Sequence, residues 1–181
     1  MSPLSLALLL LVVSAATAVV YVYSMRLIHA SERPYTVEDL EETSSRISQG
    51  GASVEGGIYV EMFPAEMRLG PRKYVLRLVR ITVQGCRGLT LNPSAFNSTL
   101  APWGNGTFCG LSSRISLKNM GDIVIAEYYT ANFTGQASCI ETSTNKTILD
   151  AWAVDVTTPW QKFVSEKPTR VVLISHVISR C

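Results

Sequence analysis

The groups in this 181-residue chain with chemistry to offer are four cysteines, two histidines, one acidic cluster and a set of Asn-x-Ser/Thr triplets. Cys86, Cys109, Cys139 and Cys181 form no C-x-x-C pair, and only His29 and His176 accompany them. A zinc site needs Cys and His clustered at short spacing, so no metal ligation is expected. An even number of cysteines instead implies two disulfides in an oxidising compartment, for which spacing alone leaves three connectivities. Cys86 with Cys109 and Cys139 with Cys181 is the favoured set. The first pair closes a loop of about two dozen residues, a closure of roughly 3 kcal/mol in chain-entropy terms. The second pins the final residue, which would otherwise fray.

Catalytic constellations are missing from the sequence. Neither H-E-x-x-H nor G-x-S-x-G occurs, and the glycine pairs at 50–51 and 56–57 lack the strand and helix that a phosphate loop requires. Ser175 and His176 are neighbours in an apolar strand pattern, so they project to opposite faces and cannot act as nucleophile and base within it. His176 reads as a core or edge histidine. Glu38, Asp39, Glu41 and Glu42 read as a solvated helix face rather than a cation site. A non-enzyme without cofactors is the expectation.

Four sequons follow: Asn97-Ser-Thr, Asn105-Gly-Thr, Asn132-Phe-Thr and Asn145-Lys-Thr, whereas Asn92 is disqualified by Pro93. Asn, Ser and Thr are also common in turns, but four sequons within fifty residues point to a glycosylated exterior. Net charge is +2, from 16 basic and 14 acidic residues, which gives no electrostatic footprint for nucleic acid. Charged residues make up only 17% of the chain, which suits an exposed extracellular surface better than a cytosolic one.

The element that sets where these groups sit is the first 25 residues, Met1 to Met25, which carry no charge; Arg26 is the first basic residue. Ser2 and Pro3 suit a helix start, and Leu4 to Met25 would span roughly 33 Å as a helix, enough for a bilayer core. Three readings compete. A cleaved secretory signal would use Ala16-Thr17-Ala18, but no basic residue precedes it and apolar residues run on through Val19 to Tyr23. A lone membrane anchor leaves unused a seam of small residues, Ala7, Ser14, Ala15 and Ala18, that would let helices approach closely. In the third reading that seam, with Leu4, Leu8, Leu11 and Val22, packs a bundle of such helices at the centre of a polymer.

An apolar N-terminal stretch rich in Leu, Val and Ala, ending in Tyr21 and Tyr23 and leading into a β domain, resembles a mature archaeal type IV pilin or archaellin. Ser5, where bacterial type IV pilins typically have Glu, favours the archaeal branch. The stretch Ile115 to Ile125, with Asn119-Met120-Gly121 at its centre, is similar to the strand-Asn-x-Gly-strand segment of those β domains. The resemblance covers Met1 to about Leu27 well and the remainder only in class. It implies an extracellular filament subunit that is membrane-inserted before assembly. Its partners would be copies of itself, the secretion and assembly machinery, and a leader peptidase that removes a short basic leader. A monomeric anchored surface binding or adhesion protein, or a minor pilin, is the alternative.

After the apolar stretch, Arg26 to His29 would continue the helix until Pro34 stops it. Thr36 can N-cap a second helix, with Val37, Leu40 and Ile47 on one face and Gly50-Gly51 as its stop. From Gly56 onward the period is two. Strands are expected at Ile58 to Phe63, ended by Pro64, and at Lys73 to Gln84. In the latter, Tyr74, Leu76 and Leu78 alternate out of phase with Val79, Ile81 and Val83, so a β-bulge near Leu78 is predicted. Arg87 to Gly110 reads as a long loop, placed for recognition or subunit contact. Further strands are expected at Ser112 to Leu117, Ile123 to Phe133, Ala137 to Glu141, Ile148 to Val156 and Thr169 to Arg180, with a hairpin turn at Asn119 to Asp122. Trp152 and Trp160 read as core or interface packing. The fold class expected is α+β, a long N-terminal apolar α-helix followed by an antiparallel, immunoglobulin-like β-sandwich. The divisions are 1–30 for the helix, 31–56 for a linker with the short helix, and 57–181 for the β domain.

Overall fold

Thr36 opens helix α1 (Val37–Ser48) with a capping box: its Oγ1 accepts from Asp39 N–H, and Asp39 Oδ2 accepts from Thr36 N–H at 2.8 Å. This is the helix expected from the sequence, and its apolar face is buried as expected, with Leu40 and Ile47 fully enclosed. Between them Ser44 donates to Leu100 O at 2.7 Å, which seats the helix on a strand. Glu38, Glu41 and Glu42 are exposed, and Glu42 pairs with Arg46 at 2.6 Å, an ordinary solvated face.

The computed structural model describes residues 35–69, 71–151, 154–158, 161–165 and 169–181. The N-terminal stretch, with Leu4, Ala7, Leu8, Leu11, Ser14, Ala15, Ala18 and Val22, lies outside the described residues, as do Trp152 and Trp160. Among the described residues no helix is long and apolar enough to cross a membrane.

Among the described residues eleven strands follow α1: β1 (Gly51–Leu69), β2 (Arg72–Val83), β3 (Thr90–Leu91), β4 (Leu100–Asn105), β5 (Cys109–Ser113), β6 (Ser116–Asn119), β7 (Ile123–Ala131), β8 (Gly135–Ala151), β9 (Val154–Thr158), β10 (Gln161–Ser165) and β11 (Thr169–Arg180). They form one sheet in the order β3-β4-β5-β2-β1-β8-β11-β7-β6, with β9 on the far half of β1 and β10 on β9. The expected α+β architecture with an antiparallel immunoglobulin-like sandwich is therefore corrected. The described residues are predominantly β, with one 12-residue α-helix and one mixed sheet rather than two packed antiparallel ones. The connectivity explains this. β1 pairs with β2 on one side and with β8 and β9 on the other, so a continuous ladder links the strands, and β5 passes through Arg114 and Ile115 into β6 at the far edge. β11 returns beside β7 in parallel, from Arg170 opposite Ile123 to Ile178 opposite Ala131. The residues from Tyr35 to Cys181 form one compact unit, which takes in α1 and the start of β1 as well as the later strands.

The burial of β2 changes phase at Leu78 and Val79 without the expected bulge: twelve consecutive residues pair with β1, from Leu69 opposite Arg72 to Ile58 opposite Val83. The strand instead feeds two cores on opposite faces. Leu76 and Leu78, opposite Ala65 and Phe63, belong to a core with Met67, Ala126, Val171 and Leu173. Val79, Ile81 and Val83 belong to a second core with Val60, Leu111, Tyr129, Ile140, Ile178 and the two α1 anchors. The irregularity lies in β1 against β8, between Ser53 and Ile58, where Gly57 takes a φ of 87° that other residues resist.

Several expected boundaries are corrected as well. β1 passes straight through Pro64. β8 pairs with Ser53 and Ile58 to Val60 further back, and β9 only from Glu66, so the missing N–H of Pro64 falls between the two partners. The segment from Arg87 to Gly110 holds β3, β4 and a short 3-10 turn (Pro93–Ala95), and is not an irregular loop. Pro102 is tolerated within β4 because β3 covers only Gly104 and Asn105. The expected separate strands 137–141 and 148–156 are joined in β8, which ends at Ala151. The hairpin turn between β6 and β7 is present, with Gly121 at φ 78° and Met120 N–H donating to Ile123 O at 2.8 Å.

Candidate functional site

The face of the β1–β2 hairpin opposite the second core carries an open groove of about 730 Å³. Strand register builds its floor. Trp103 of β4 lies opposite Gly110 of β5, Gly110 opposite Thr82 of β2, and Thr82 opposite Tyr59 of β1. The Trp103 indole N–H crosses β5 to donate to Ile81 O on β2 at 3.3 Å. β5 approaches β2 so closely there that a Cβ on Gly110 would lie 1.9 Å from Ile81 O, so only glycine fits.

One row further along the same face Arg80 opposes Glu61, its Nη1 3.3 Å from Glu61 Oε1. Its guanidinium lies between two rings, 5.3 Å from the Phe63 centroid and 4.9 Å from that of Trp103. Each such contact is worth about 0.5–1 kcal/mol in a partly exposed setting. Arg80 Nε is buried without an acceptor among the described residues. Phe63, outside the groove lining, packs against the first core and so anchors this stack.

The groove's other wall is the turn between β4 and β5. Asn105 Oδ1 accepts from Thr107 N–H at 3.0 Å and from Phe108 N–H at 2.8 Å, and Asn105 N–H donates to Phe108 O at 3.0 Å. The Cys86–Cys109 disulfide ties this turn to the end of β2, and Gly88 N–H donates to Gly106 O at 3.0 Å beside it. Tyr59 and Phe108 remain 46% and 55% exposed, and these large rings line the groove with Trp103 beside the polar groups of Glu61, Thr82, Gln84 and Asn105. Rings beside amides, hydroxyls and paired charges can hold a molecule whose faces are apolar and whose edges are hydroxylated.

A second constellation spans three strands. Thr144 Oγ1 lies 3.0 Å from His176 Nδ1, and His176 Nε2 lies 2.7 Å from Glu127 Oε1, with Lys118 Nζ at 4.0 Å from Glu127 Oε2. The imidazole stacks on Tyr129 at 4.6 Å, and Tyr129 OH donates to Ser48 Oγ at 2.8 Å, so the row reaches back to α1. Sequence reasoning placed Ser175 and His176 on opposite faces, and among the described residues no hydrogen bond joins the two. The cross-strand partners Thr144 and Glu127 carried no sequence signal, since they lie 32 and 49 residues from His176. Burial raises the Tyr129 phenol above its ordinary value, opposed by the Ser48 bond and reinforced by the Glu127 charge. Hydroxyl, imidazole and carboxylate are parts that acyl-transfer sites share, but here the imidazole is clamped edge and face as a cross-strand tie.

The structure joins Cys86 to Cys109 and Cys139 to Cys181, the favoured connectivity, with Cα separations of 5.3 and 5.6 Å. All four sequon asparagines are exposed: Asn97 before β4, Asn105 at the end of β4, Asn132 after β7 and Asn145 within β8. They differ in how the amide nitrogen is used, since Asn132 Nδ2 donates to Ser179 Oγ at 2.9 Å. Of the groove residues, Asn105 and Cys86 were singled out from sequence and Trp103 only as part of a loop. Tyr59, Arg80 and Phe108 were missed, although aromatic and charged residues on the polar phase of β1 and β2 are a readable signal. Comparison with protein-family models, with curated proteins and with solved structures finds no match to this chain.

Proposed function

We propose that this chain is a non-catalytic structural subunit of an extracellular helical filament, of the archaeal type IV pilin and archaellin kind, which polymerises through residues 4–25. The observation that carries the reading is the charge-free stretch from Met1 to Met25, with its small-residue seam, set ahead of a separate β domain. Two features of that domain support it: both cysteine pairs are disulfide-bonded, which suits an oxidising exterior, and all four sequons are exposed. Before assembly the apolar stretch resides in the membrane. On assembly it exchanges lipid for the apolar stretches of neighbouring copies. Both surroundings are apolar, so close packing and dispersion rather than the hydrophobic effect select the polymer. A head-to-tail interface that does not close gives a helical fibre, coated by the β domains.

Negative-stain microscopy of material sheared from the cell surface tests this reading. Fibres that label with antibody to the β domain are expected, and Ser14→Leu with Ala18→Leu should abolish them while leaving the chain in the membrane fraction. Membrane-bound protein without fibres would establish the anchored surface protein instead. N-terminal sequencing of the mature chain adds a second check, since a start after Ala18 would remove the polymerising stretch and the proposal with it.

A further inference from the structure

The groove and the Asn105 sequon are one feature. Asn105 and Thr107, the two residues that define the sequon, line the groove alongside Tyr59, Trp103 and Phe108. Both N–H bonds of the turn go to Asn105 Oδ1, so the carbonyl end of the carboxamide is held and Nδ2 has no hydrogen-bond partner among the described residues. At Asn132, by contrast, the amide nitrogen is spent on Ser179. We infer that Asn105 carries an N-linked glycan whose first pyranose rings lie in this groove against Phe108, Trp103 and Tyr59.

The transfer step balances without redox chemistry. Nδ2 attacks C1 of the reducing-end sugar of a polyprenyl-phosphate-linked oligosaccharide. The C1–N bond forms, the C1–O bond to phosphate breaks, the polyprenyl phosphate leaves with the electron pair, and one amide proton passes to the transferring enzyme. The attached sugar then meets a surface suited to it. The C–H faces of a pyranose are apolar and carry partial positive charge, so they complement the negative faces of aromatic rings. Its hydroxyls meet the polar lining groups Glu61, Thr82 and Gln84. The volume of about 730 Å³ lies within the range of sites that enclose small molecules. Arg80 is already paired with Glu61 and stacked between rings, while Arg87, the other arginine of the lining, is exposed at the surface and offers donors that sugar hydroxyls can accept from. The attachment point within the lining selects the chain's own glycan as the occupant.

This inference rests on the domain being exported, as the filament reading requires, but not on polymerisation. Glycopeptide mass spectrometry on the full chain purified from its native cells reads occupancy at each sequon, and glycan is expected at Asn105. Thr107→Ala removes that sequon while keeping the Asn105 carboxamide that organises the turn. Phe108→Ala removes an exposed ring with little risk to folding. In the glycosylated chain Phe108→Ala should lower Tm by roughly 2–4 °C, and in the Thr107→Ala background by much less. Asn105 bare while other sequons are occupied overturns the inference alone. All four bare, with the cysteines reduced, overturns export and the filament reading as well. Glycan at Asn105 with the same Phe108→Ala effect in both backgrounds shows that the sugar does not use the groove, and that also overturns it.

Discussion

Leu78 and Val79 are consecutive residues of β2, both fully buried, and they belong to different hydrophobic cores on opposite faces of the same sheet. The two cores share a backbone ladder but not their buried neighbours, so they should respond to mutation independently. Leu78→Ala and Ile81→Ala should each destabilise by about 2–5 kcal/mol, the usual range for such truncations. In a double-mutant cycle their coupling should stay below about 0.5 kcal/mol. Ile81 and Val60, directly opposite one another within one core, should couple by more than that. Denaturant titration of the two cycles reads this directly. Equal coupling in both would mean the faces form one cooperative core.

The same pair marks where the sequence was legible and where it was not. The phase change along β2 can be read from the residues, but a phase change has two physical causes, a bulge or a change of buried face, and only the unbroken pairing with β1 separates them. Pro64 and Pro102 look like strand ends because proline lacks a donor. Each sits where a neighbouring strand has stopped or not yet begun, which depends on residues far away in the chain. The middle of β8, Thr142-Ser-Thr-Asn-Lys-Thr147, is polar on both faces and so has no alternation, yet all of it pairs with β11. By contrast α1, its cap and the anchors Leu40 and Ile47 were readable, because capping and a 3.6-residue period are local, whereas the burial of Ser44 depends on its bond to Leu100 O far along the chain. The groove was legible only in pieces, since Tyr59, Thr82 and Trp103 become neighbours through register alone.

The capping box at Thr36 makes a local prediction. Thr36→Ala removes the acceptor for Asp39 N–H and the hydroxyl bond to Asp39 Oδ2, while the bond from Thr36 N–H to that carboxylate stays, so a loss of about 1 kcal/mol is expected. Thr36→Ser should recover most of it. Because Leu40 and Ile47 anchor α1 in the core, the loss should appear in global unfolding rather than as fraying of the helix alone. Hydrogen exchange at the α1 amides separates the two: a drop in protection confined to the first turn would show that the cap is only local.

The disulfide from Cys139 to Cys181 spans 42 residues and fastens the residue that follows β11 to the first part of β8. Cys139→Ser with Cys181→Ser should lower stability by about 4 kcal/mol in chain-entropy terms, and the 23-residue span from Cys86 to Cys109 by somewhat less, about 3 kcal/mol. Their local effects should also differ. Loss of the first frays the end of β11, whereas loss of the second frees the turn that carries Asn105 and loosens the groove. Denaturation of the two double-serine variants, followed by limited proteolysis, distinguishes them. Cleavage near residue 105 in the Cys139 and Cys181 variant would contradict this assignment.

The pH response has opposite signs at two sites. Glu66 is held below its ordinary value by its bond to Lys73, at 2.6 Å, so whatever stability it lends is present at neutral pH and lost as pH falls through its folded-state value. The group is exposed, and Lys73→Met or high salt should return it to the normal glutamate range in an NMR titration. Tyr128 and Tyr129 are raised, chiefly by burial. A raised phenol stabilises the fold fully below the unfolded value of about 10 and stops doing so as pH rises through the folded-state value, so alkaline conditions should destabilise the sheet. Tyr129→Phe removes one such proton and also the bond to Ser48, so it should cost about 0.5–1.5 kcal/mol at neutral pH yet flatten the alkaline decline. Stability curves for both proteins between neutral and alkaline pH should therefore converge. Parallel curves would place the alkaline sensitivity elsewhere than in the Tyr129 contact between α1 and His176.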